Sequence, residues 1–436
     1  MADIIRAGDS GSPITVGVAL EGGGWHPAAW REDGAGPETL FTAAYWQGLI
    51  DIADEAGLDY ATLEDALSTR SAGFGAPDDD PGLRPEIVEG RLDALLTASW
   101  LAPRTTRIGL IPTVTTTHTE PFHVATALQT LDHVSEGRAG WQLRISGDAA
   151  SARAFGRRPA PEIDLADVLA GEPDAGLDAL LGDAADVAET ARRLWDSWEE
   201  DAIIRDVATG RFLDRDRVHH IRFASERFSV IGPSIVPRSP QGQLPVTLLS
   251  HSPRVHALAA ETADVVFITP ENPSPRAGAS RGKPVAEIVA EVRAAERAAD
   301  RAGRGLAPLR IVADLVVALD APGEAATDRL DRLDDLAGTP FASDARVAAG
   351  SPERVADLIG DWLGAGIDGV RLRPLALPHD LTAIAERLLP VLRDRGLAAP
   401  GGADPRPLRE VFGLASAPNR YAVARAAGDA SEEAAA

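Results

Sequence analysis

The sequence predicts an α/β protein built as a (β/α)8 TIM barrel with insertions, and three observations support this fold class. Eight short β-branched or aliphatic runs are spaced along the 436 residues, and helical patterns separate most of them. Polar and aromatic residues gather where these strands end, which is where parallel barrels and sheets bind ligands. The number of strands and their alternation with helices favour a barrel over an open sheet.

Each strand and helix is predicted from its own residue pattern. The predicted strands are Ile14–Leu20, Leu58–Leu63, Ile108–Thr113, Ala139–Ile145, Val246–Leu249, Asp264–Thr269, Leu309–Ala318 and Gly369–Leu372. The predicted helices are Glu38–Ala56, Arg91–Leu101, Pro121–Val134, Asp183–Glu200, Pro253–Thr262, Val285–Ala302, Pro352–Ala365 and Leu381–Arg395. The segment Ser68–Pro85 is rich in Gly, Pro and Asp and is predicted to be a loop.

The alternation stops between Phe155 and Pro245, and it resumes with the fifth strand. A helix, a hairpin and an extended, proline-punctuated arm are predicted there, and an insertion of this size usually forms an active-site cover or an interface. We therefore expect residues 1–400 to form one barrel domain with a large insertion at about 155–245. Residues 401–436 are expected to form an extended C-terminal tail.

The composition excludes several classes of protein. The chain has no cysteine, which rules out disulfides, thiolate metal sites and cysteine nucleophiles. Its net charge is −23, and it lacks the basic run that nucleic-acid binding requires. No apolar run approaches the roughly 20 residues that span a bilayer, and the N-terminus has no apolar core of the signal-peptide type. We expect a cytoplasmic protein that binds neither nucleic acid nor membrane.

The residues that follow the predicted strands are polar, hydroxyl-rich and aromatic. They comprise Glu21 to His26, Glu64 and Asp65, Thr113 to His118, Gln142 to Ser146, Ser250 to Ser252, Thr269 and Arg373. They form no His/Asp metal cluster, and no nucleotide-binding or serine-hydrolase motif is present. This set favours a site that holds an organic cofactor over one that works with side chains alone, and no metal is predicted.

Structural roles are equally compatible with several of these residues taken singly. Asp65 could end a strand and cap a helix, Trp141 could belong to the barrel core, and His118 lies where a helix begins. A serine among Ser250 to Ser252 could be an N-cap, although a helix N-terminus with free N–H groups also binds anions. Only their joint position at one rim favours a functional reading.

Seven segments of the chain resemble the luciferase-like flavin monooxygenases, in the branch that contains nitrilotriacetate, dibenzothiophene-sulfone and long-chain alkane monooxygenases. They are HPAAWR (His26–Arg31), TEPFHVATALQTLDHVSEGRAGWQLRIS (Thr119–Ser146), SARAFG (Ser151–Gly156), LWDSWEEDAIIRDVATGRFLDRDRVHHI (Leu194–Ile221), GPSIVPRSPQG (Gly232–Gly242), GVRLRPLALPHDL (Gly369–Leu381) and LREVFGL (Leu408–Leu414).

This resemblance implies a bacterial luciferase-like barrel that works in a two-component system. A separate flavin reductase would supply reduced FMN, dioxygen would add to form a flavin C4a-hydroperoxide, and one oxygen atom would enter a small organic substrate. Such barrels commonly pair, so a homodimer or homotetramer is expected. Two alternatives stay open, namely a deazaflavin-dependent hydride-transfer oxidoreductase and a catalytically degenerate, non-enzymatic barrel subunit.

The resemblance also implies a role for individual residues. Those expected to bind the flavin are Asp65, Thr113, Trp141, Gln142, Ser146, Ser250, His251, Ser252 and Arg254. His26, His118 and Arg144 are expected to line the substrate side as catalytic residues. Arg144 is unusual because a charged residue within a strand must face a cavity or find a partner. It is expected to replace a flavin contact or to meet an anionic substrate.

The chain departs from the family at the loop expected to bind the flavin phosphate. The family commonly has Gly-x-Ser followed by Gly-Arg, whereas this chain has Ser250 in place of the first glycine and Val255–His256 in place of the pair. Arg254 or His256 would have to compensate for the missing arginine. Gln142 stands where the family usually has asparagine, and its amide can still bond a ring edge.

Overall fold

Eight parallel strands form a closed barrel in the computed structural model, which describes residues 13–69, 83–170, 172–272, 282–402 and 404–433. The barrel strands are β1 Thr15–Leu20, β2 Tyr60–Leu63, β3 Gly109–Thr115, β4 Trp141–Arg144, β5 Val246–Ser250, β6 Val265–Ile268, β7 Arg310–Leu319 and β8 Gly369–Pro374. Each pairs with the next, and β8 returns to β1 through Thr15 and Gly369. The predicted (β/α)8 fold class is confirmed.

The register of β3 and β4 positions the residues at the carboxyl end of the barrel, which we call the mouth. Thr113 lies opposite Gln142, and Thr115 lies opposite Arg144. Side chains two residues apart on a strand point to the same face. Gln142 and Arg144 therefore share one side of β4, with Arg144 nearer to solvent.

Helices surround the barrel and occupy the insertion. They are α1 Ala43–Ala56, α2 Ala94–Leu101, α3 Pro121–Val134, α4 Ala149–Phe155, α5 Leu165–Ala170, α6 Ala175–Asp196, α7 Pro253–Thr262, α8 Val285–Ala298, α9 Ala326–Ala337, α10 Pro352–Gly364, α11 His379–Ala383, α12 Leu389–Asp394, α13 Leu408–Val411 and α14 Arg420–Glu433. Both α3 and α7 have the predicted bounds, because each starts with a proline whose fixed φ suits the first helical position. A π-helical turn, Ile384–Leu388, joins α11 to α12.

Two elements between β7 and α10 were not predicted. One is α9, which buries Leu330 and Leu333 against the barrel, and the other is a strand, Arg346–Gly350, that pairs in parallel with the end of β7. The strand's residues are only partly buried, except Gly350. Its short RVAAG sequence carries little strand signal, so pairing with the long β7 decides its structure.

The insertion packs against the outside of the barrel. Its long helix α6 begins at Ala175 rather than at the predicted Asp183, because the Asp174 side chain caps it by accepting a hydrogen bond from the Leu177 N–H. The Trp195 indole donates to the Ala125 carbonyl of α3 at 3.0 Å. Two short antiparallel hairpins follow, Ile203–Asp206 with Arg211–Leu213 and Phe223–Ala224 with Ser229–Val230.

The C-terminal segment is helical where an extended tail was predicted. Helix α13 places Leu408 beneath the barrel, close to Gly109 and Gly140, where a β-carbon would lie only 2.5 and 2.9 Å from the leucine side chain. Phe412 packs against Tyr60 with ring centroids 5.0 Å apart. This segment therefore closes the amino-terminal end of the barrel, opposite the mouth.

Helix α14 is held against the insertion by charged side chains. Arg420 pairs with Glu189 and Asp196, and Arg425 pairs with Glu199. These long-range contacts explain why the segment is ordered as a helix.

Within the described ranges, none of the helices is long and apolar enough to cross a membrane. Most of the predicted loop Ser68–Pro85 lies outside the described residues, since residues 70–82 are not among them.

Candidate active site

A network of five buried polar side chains crosses the barrel interior below the mouth, and we call it the central network. Its members are Glu64, Gln142, Asp314, Arg371 and Arg373. The Gln142 amide donates to both Glu64 carboxylate oxygens at 3.1 Å and accepts from Arg371 Nη1 at 2.5 Å. Because β4 and β8 are not neighbours in the sheet, Gln142 and Arg371 can meet only across the interior.

The charges of the central network balance one another. Arg371 binds Asp314 in a bidentate fork at 2.7 and 2.6 Å, and Arg373 pairs with the same carboxylate. Although burial opposes ionisation of Arg371, the Asp314 carboxylate outweighs it and raises the pKa of the guanidinium. The five residues contain two carboxyl groups and two guanidinium groups, so their formal charges cancel, and the ion pairs between them hold the barrel floor together.

The network extends toward solvent through Asp344. Arg373 Nη1 donates to this carboxylate at 2.7 Å, and His251 Nε2 lies 3.7 Å from it. Desolvation opposes ionisation, but Arg373 more than offsets this and lowers the pKa of Asp344 to about 2. Arg373 also stacks over the Trp25 ring at 4.4 Å, which fixes the guanidinium in place.

Sequence reasoning missed Asp314 and Arg371, and it named Arg373 only as one of the residues that follow the strands, without a partner. Asp314 lies within a run of β-branched residues in β7, and Arg371 and Arg373 alternate along β8. Charged residues on the inward face of a barrel strand must find partners there. In the sequence analysis this argument was applied only to Arg144. Applied to Asp314, Arg371 and Arg373, it would also have predicted an ion pair between β7 and β8.

Two flavin-site candidates, Thr113 and Gln142, lie inside the barrel. Gln142 is held entirely by the central network. Thr113 sits opposite it and is 1% exposed, and its hydroxyl has no hydrogen-bond partner among the described residues. A buried hydroxyl without a partner costs about 1–3 kcal/mol, so a bound molecule is expected to supply one.

Arg144 reaches the mouth, as expected. Its side chain is exposed, and Nη1 donates to the Asp65 carbonyl at 2.7 Å. Its backbone carbonyl accepts from the N–H and the hydroxyl of Thr116, which ties the ends of β3 and β4 together.

His118 follows β3 and is strained and unsatisfied. Its φ of 69° lies in the left-handed region, which is uncommon for a residue other than glycine. It is 5% exposed, and neither ring nitrogen has a partner among the described residues. The ring stacks on Phe155 at 5.5 Å. Burial and the nearby Arg158 lower the pKa of His118, which keeps the ring neutral at neutral pH.

His26 does not have the environment expected of a catalytic residue. Its Nε2 lies 3.0 Å from Asp334 Oδ1, and its Nδ1 accepts the Ala28 N–H at 3.0 Å. The ring is 1% exposed and packs against Phe341. Because both nitrogens are engaged within the protein, the structure gives His26 a supporting role in the loop after β1.

Trp141 belongs to the core, which corrects its expected place beside the flavin ring. It is fully buried on the face of β4 opposite to Gln142, and it packs edge-on against Trp195 of the insertion. Its indole N–H donates to the Val114 carbonyl at 3.0 Å. The alternation of side chains along β4 explains the placement.

Asp65 and Ser146 have local structural partners. The Asp65 carboxylate accepts the Ala94 N–H at 2.9 Å and so binds the start of α2. This contact agrees with the structural alternative, in which Asp65 caps a helix. Burial raises the pKa of Asp65, and hydrogen bonds from the N–H groups of Ala94 and Ala66 partly oppose this rise. The Ser146 hydroxyl donates to Asp148 at 2.6 Å.

The loop after β5 is arranged differently from the expected phosphate loop. The Ser250 hydroxyl lies 2.6 Å from His256 Nδ1, and both residues are buried. Arg254 points away and pairs with Asp178 of the insertion. His251 is half exposed, with Nδ1 3.0 Å from the Thr269 hydroxyl. Arg254 therefore does not supply the missing arginine in this arrangement.

The start of α7 remains open to an anion. Ser252 is the N-cap residue, but its side chain makes no capping hydrogen bond. The first N–H groups of a helix have no partner within the helix, and the helix dipole favours negative charge there. Pro253 has no N–H, so the Ser252 hydroxyl and the N–H groups of Arg254 and Val255 are the part of this loop that fits a phosphate.

A narrow cleft opens beside the mouth, between the ends of β1 and β2. Glu21, Trp46, Glu64 and Arg91 are among the residues that line it. Glu64 belongs to the central network, so the cleft leads from the surface to the polar floor of the barrel.

The chain belongs to the luciferase-like monooxygenase family. A sequence model of that family, described as "Luciferase-like monooxygenase", matches residues 23–354, which is more than half of the chain. This establishes the family that the sequence motifs indicated.

Two characterised relatives support the assignment. The N-acetyl-S-(2-succino)cysteine monooxygenase of Bacillus subtilis (strain 168) is 29% identical over 460 residues, covering 94% of this chain and 98% of the relative. The nitrilotriacetate monooxygenase component A of Aminobacter aminovorans is 30% identical over 258 residues, covering 58% and 53%. The second relative confirms the branch predicted from the sequence.

Solved structures share the fold. The crystal structure of a riboflavin lyase with modified FMN and its substrate riboflavin superposes with a TM-score of 0.74 at 24% identity, covering 93% of this chain and 97% of that one. At this level of identity the match supports the fold alone.

Proposed function

We propose that this protein is the oxygenase of a two-component flavin-dependent system. It would take reduced FMN from a separate reductase, use dioxygen, and insert one oxygen atom into a small organic substrate. The observation that carries the proposal is the mouth of a luciferase-like barrel, where a buried hydroxyl has no partner among the described residues and the N-cap side chain of α7 makes no capping hydrogen bond. Both relatives are monooxygenases, which supports the same reaction class for this protein.

The ring of the flavin would lie over the central network. Thr113 offers its unpartnered hydroxyl there, and Gln142 forms part of the floor. Since its carboxylates and guanidinium groups already bind one another, the network would serve as a rigid base that reorganises little when the cofactor binds.

The phosphate would lie at the start of α7. Ser252 and the adjacent N–H groups would bind it, with His251 beside them. Charge-assisted arginine contacts contribute about 1.5–3 kcal/mol. Because Arg254 is paired with Asp178 instead, we expect weaker FMN binding than in relatives that have the arginine.

Bound reduced FMN would supply the electrons that activate dioxygen, and the protein would position it and exclude water. His118 is neutral, buried and without a partner among the described residues, so it can donate or accept one hydrogen bond at the rim. We propose that it faces the substrate side together with Arg144, as the sequence indicated.

The phosphate position can be tested with Ser252→Asp. Aspartate is a good N-cap, so the variant should fold with equal or higher stability, while its charge repels a phosphate. Anaerobic titration should show at least a tenfold loss of affinity for reduced FMN and no loss for reduced riboflavin, which lacks the phosphate. Equal FMN affinity in the two proteins would place the phosphate elsewhere.

A further inference from the structure

Arg144 is an exposed arginine without a carboxylate partner among the described residues. Three other arginines near the mouth bind carboxylates: Arg91 pairs with Glu21, Arg254 with Asp178, and Arg373 with Asp314 and Asp344. The chain has 66 acidic residues against 43 basic ones, so carboxylates are abundant, yet among the described residues none forms an ion pair with Arg144.

The surroundings of Arg144 keep its charge available. Arg144 lies two residues beyond Gln142 on the same face of β4, or about 7 Å nearer to solvent. The central network below it is neutral, because Glu64 and Asp314 balance Arg371 and Arg373. Asp65 offers Arg144 its carbonyl, while its carboxylate binds the Ala94 N–H.

The single hydrogen bond of the guanidinium also leaves one edge free. Nη1 is used by the Asp65 carbonyl, whereas Nε and Nη2 make no hydrogen bond within the described residues. These two atoms form the side edge of the fork, which matches the two oxygens of a carboxylate.

The direction of the side chain separates this site from the proposed phosphate position. The guanidinium reaches past β3 to the carbonyl of Asp65, two residues beyond the end of β2, whereas α7 begins after β5, on the other side of β4. A phosphate bound at Ser252 would therefore lie on the far side of β4 from the free edge of Arg144.

We propose that Arg144 binds a carboxylate of the substrate through its Nε–Nη2 edge, so that this protein oxygenates a small organic acid. The proposal rests on the proposed function for its chemistry, but the binding site itself is defined by Arg144 and the surrounding mouth. Loss of one bidentate arginine–carboxylate pair should weaken binding about ten- to a hundredfold.

Calorimetry at low ionic strength can test this with succinate and phenylacetate, each compared with its methyl ester. Titrations would use the full-length protein with and without saturating reduced FMN under anaerobic conditions. The wild type should bind at least one acid more than tenfold tighter than its ester. Arg144→Met should abolish that preference, and Arg144→Lys should restore only part of it, because lysine keeps the charge without the fork.

Arg157→Met is the matched control, since Arg157 is an exposed arginine at the same end of the barrel that pairs with Glu120. It should keep the preference for the acid. The proposal is overturned if no acid binds the wild type more tightly than its ester, or if Arg144→Met binds acids as the wild type does. A variant that loses FMN affinity but keeps acid binding would make Arg144 a flavin contact instead. Failure of reduced FMN to bind any of the proteins would contradict the proposed function separately.

Discussion

At Thr113 and His118 the protein buries polar atoms that have no partner among the described residues. Each such atom costs about 1–3 kcal/mol, and His118 adds the strain of a positive φ. Other buried atoms without a partner occur elsewhere in the described residues, but His118 is the one whose two ring nitrogens are both unsatisfied. Strained and unsatisfied groups concentrate at functional sites, and both of these lie at the end of β3.

Thr113→Val should therefore stabilise the free protein and harm the site. Valine has nearly the same shape as threonine and lacks the buried hydroxyl, so the free energy of unfolding should rise by about 1 kcal/mol. The affinity for reduced FMN should fall. Urea unfolding and anaerobic titration measure the two effects, and a loss of stability would show that the hydroxyl already has a partner.

Single residues also show where sequence reasoning reached its limit. The sequence placed Thr113, Gln142 and Arg144 at the mouth, because strand periodicity fixes which face a residue takes. It could not place Arg254, whose partner Asp178 lies in the insertion, 76 positions away. It wrongly assigned Trp141 to the flavin site, since the same alternation that turns Gln142 inward turns Trp141 toward the insertion.

Ion pairs between side chains join strands β7 and β8, in addition to the backbone hydrogen bonds of the sheet. Asp314 lies opposite Arg371 in the register and accepts from both Arg371 and Arg373. Removing one partner of a buried pair leaves uncompensated charge, which costs about 3–5 kcal/mol.

Asp314→Asn should lower the free energy of unfolding by about that amount, because two buried arginines would lose their shared carboxylate. Asp357→Asn is the control, since the Arg395–Asp357 pair is exposed and should contribute less than about 1 kcal/mol. Urea unfolding of both variants measures the difference. Similar losses in the two variants would mean that the central network does not hold the barrel floor.

The barrel strands and most helices could be predicted because each carries its own local pattern. Helix α9 and the strand Arg346–Gly350 could not, and the strand depends on β7 for its pairing. Helix α14 was missed because ion pairs with the insertion hold it in place. Elements whose order comes from distant contacts leave a weak signal in their own residues.

The whole molecule is a barrel closed at its amino-terminal end by the C-terminal segment. Leu408, Phe412 and Leu414 form a buried cluster with Tyr60 and Phe267 inside the barrel. The opposite end carries the central network and the mouth. Among the described residues, the mouth is therefore the end at which the barrel interior is open.

Two truncations should separate the roles of the C-terminal helices. Deletion of residues 404–436 removes the closing cluster, so the barrel should lose cooperative unfolding or become insoluble. Deletion of residues 419–436 removes α14 and its partly exposed ion pairs but keeps α13, and the barrel should remain folded with reduced stability. Thermal unfolding compares them, and equal stability of the two truncations would contradict the closing role of α13.

The insertion also bears on assembly. Val207, Phe212 and Ile235 are among its exposed apolar side chains, and the expected homodimer or homotetramer stays a prediction. Its helices cover one side of the barrel near His118 and Phe155, which is where an insertion could shape the substrate side of the mouth.

The most direct test of the central claim is rapid mixing of the anaerobic complex of the protein and reduced FMN with oxygen. We predict an absorbing species distinct from both reduced and oxidised FMN, which appears before the oxidised spectrum and persists longer than in free flavin. Direct conversion of reduced to oxidised FMN at the rate of free flavin, or failure of the protein to bind reduced FMN, would contradict the assignment as a flavin-dependent oxygenase.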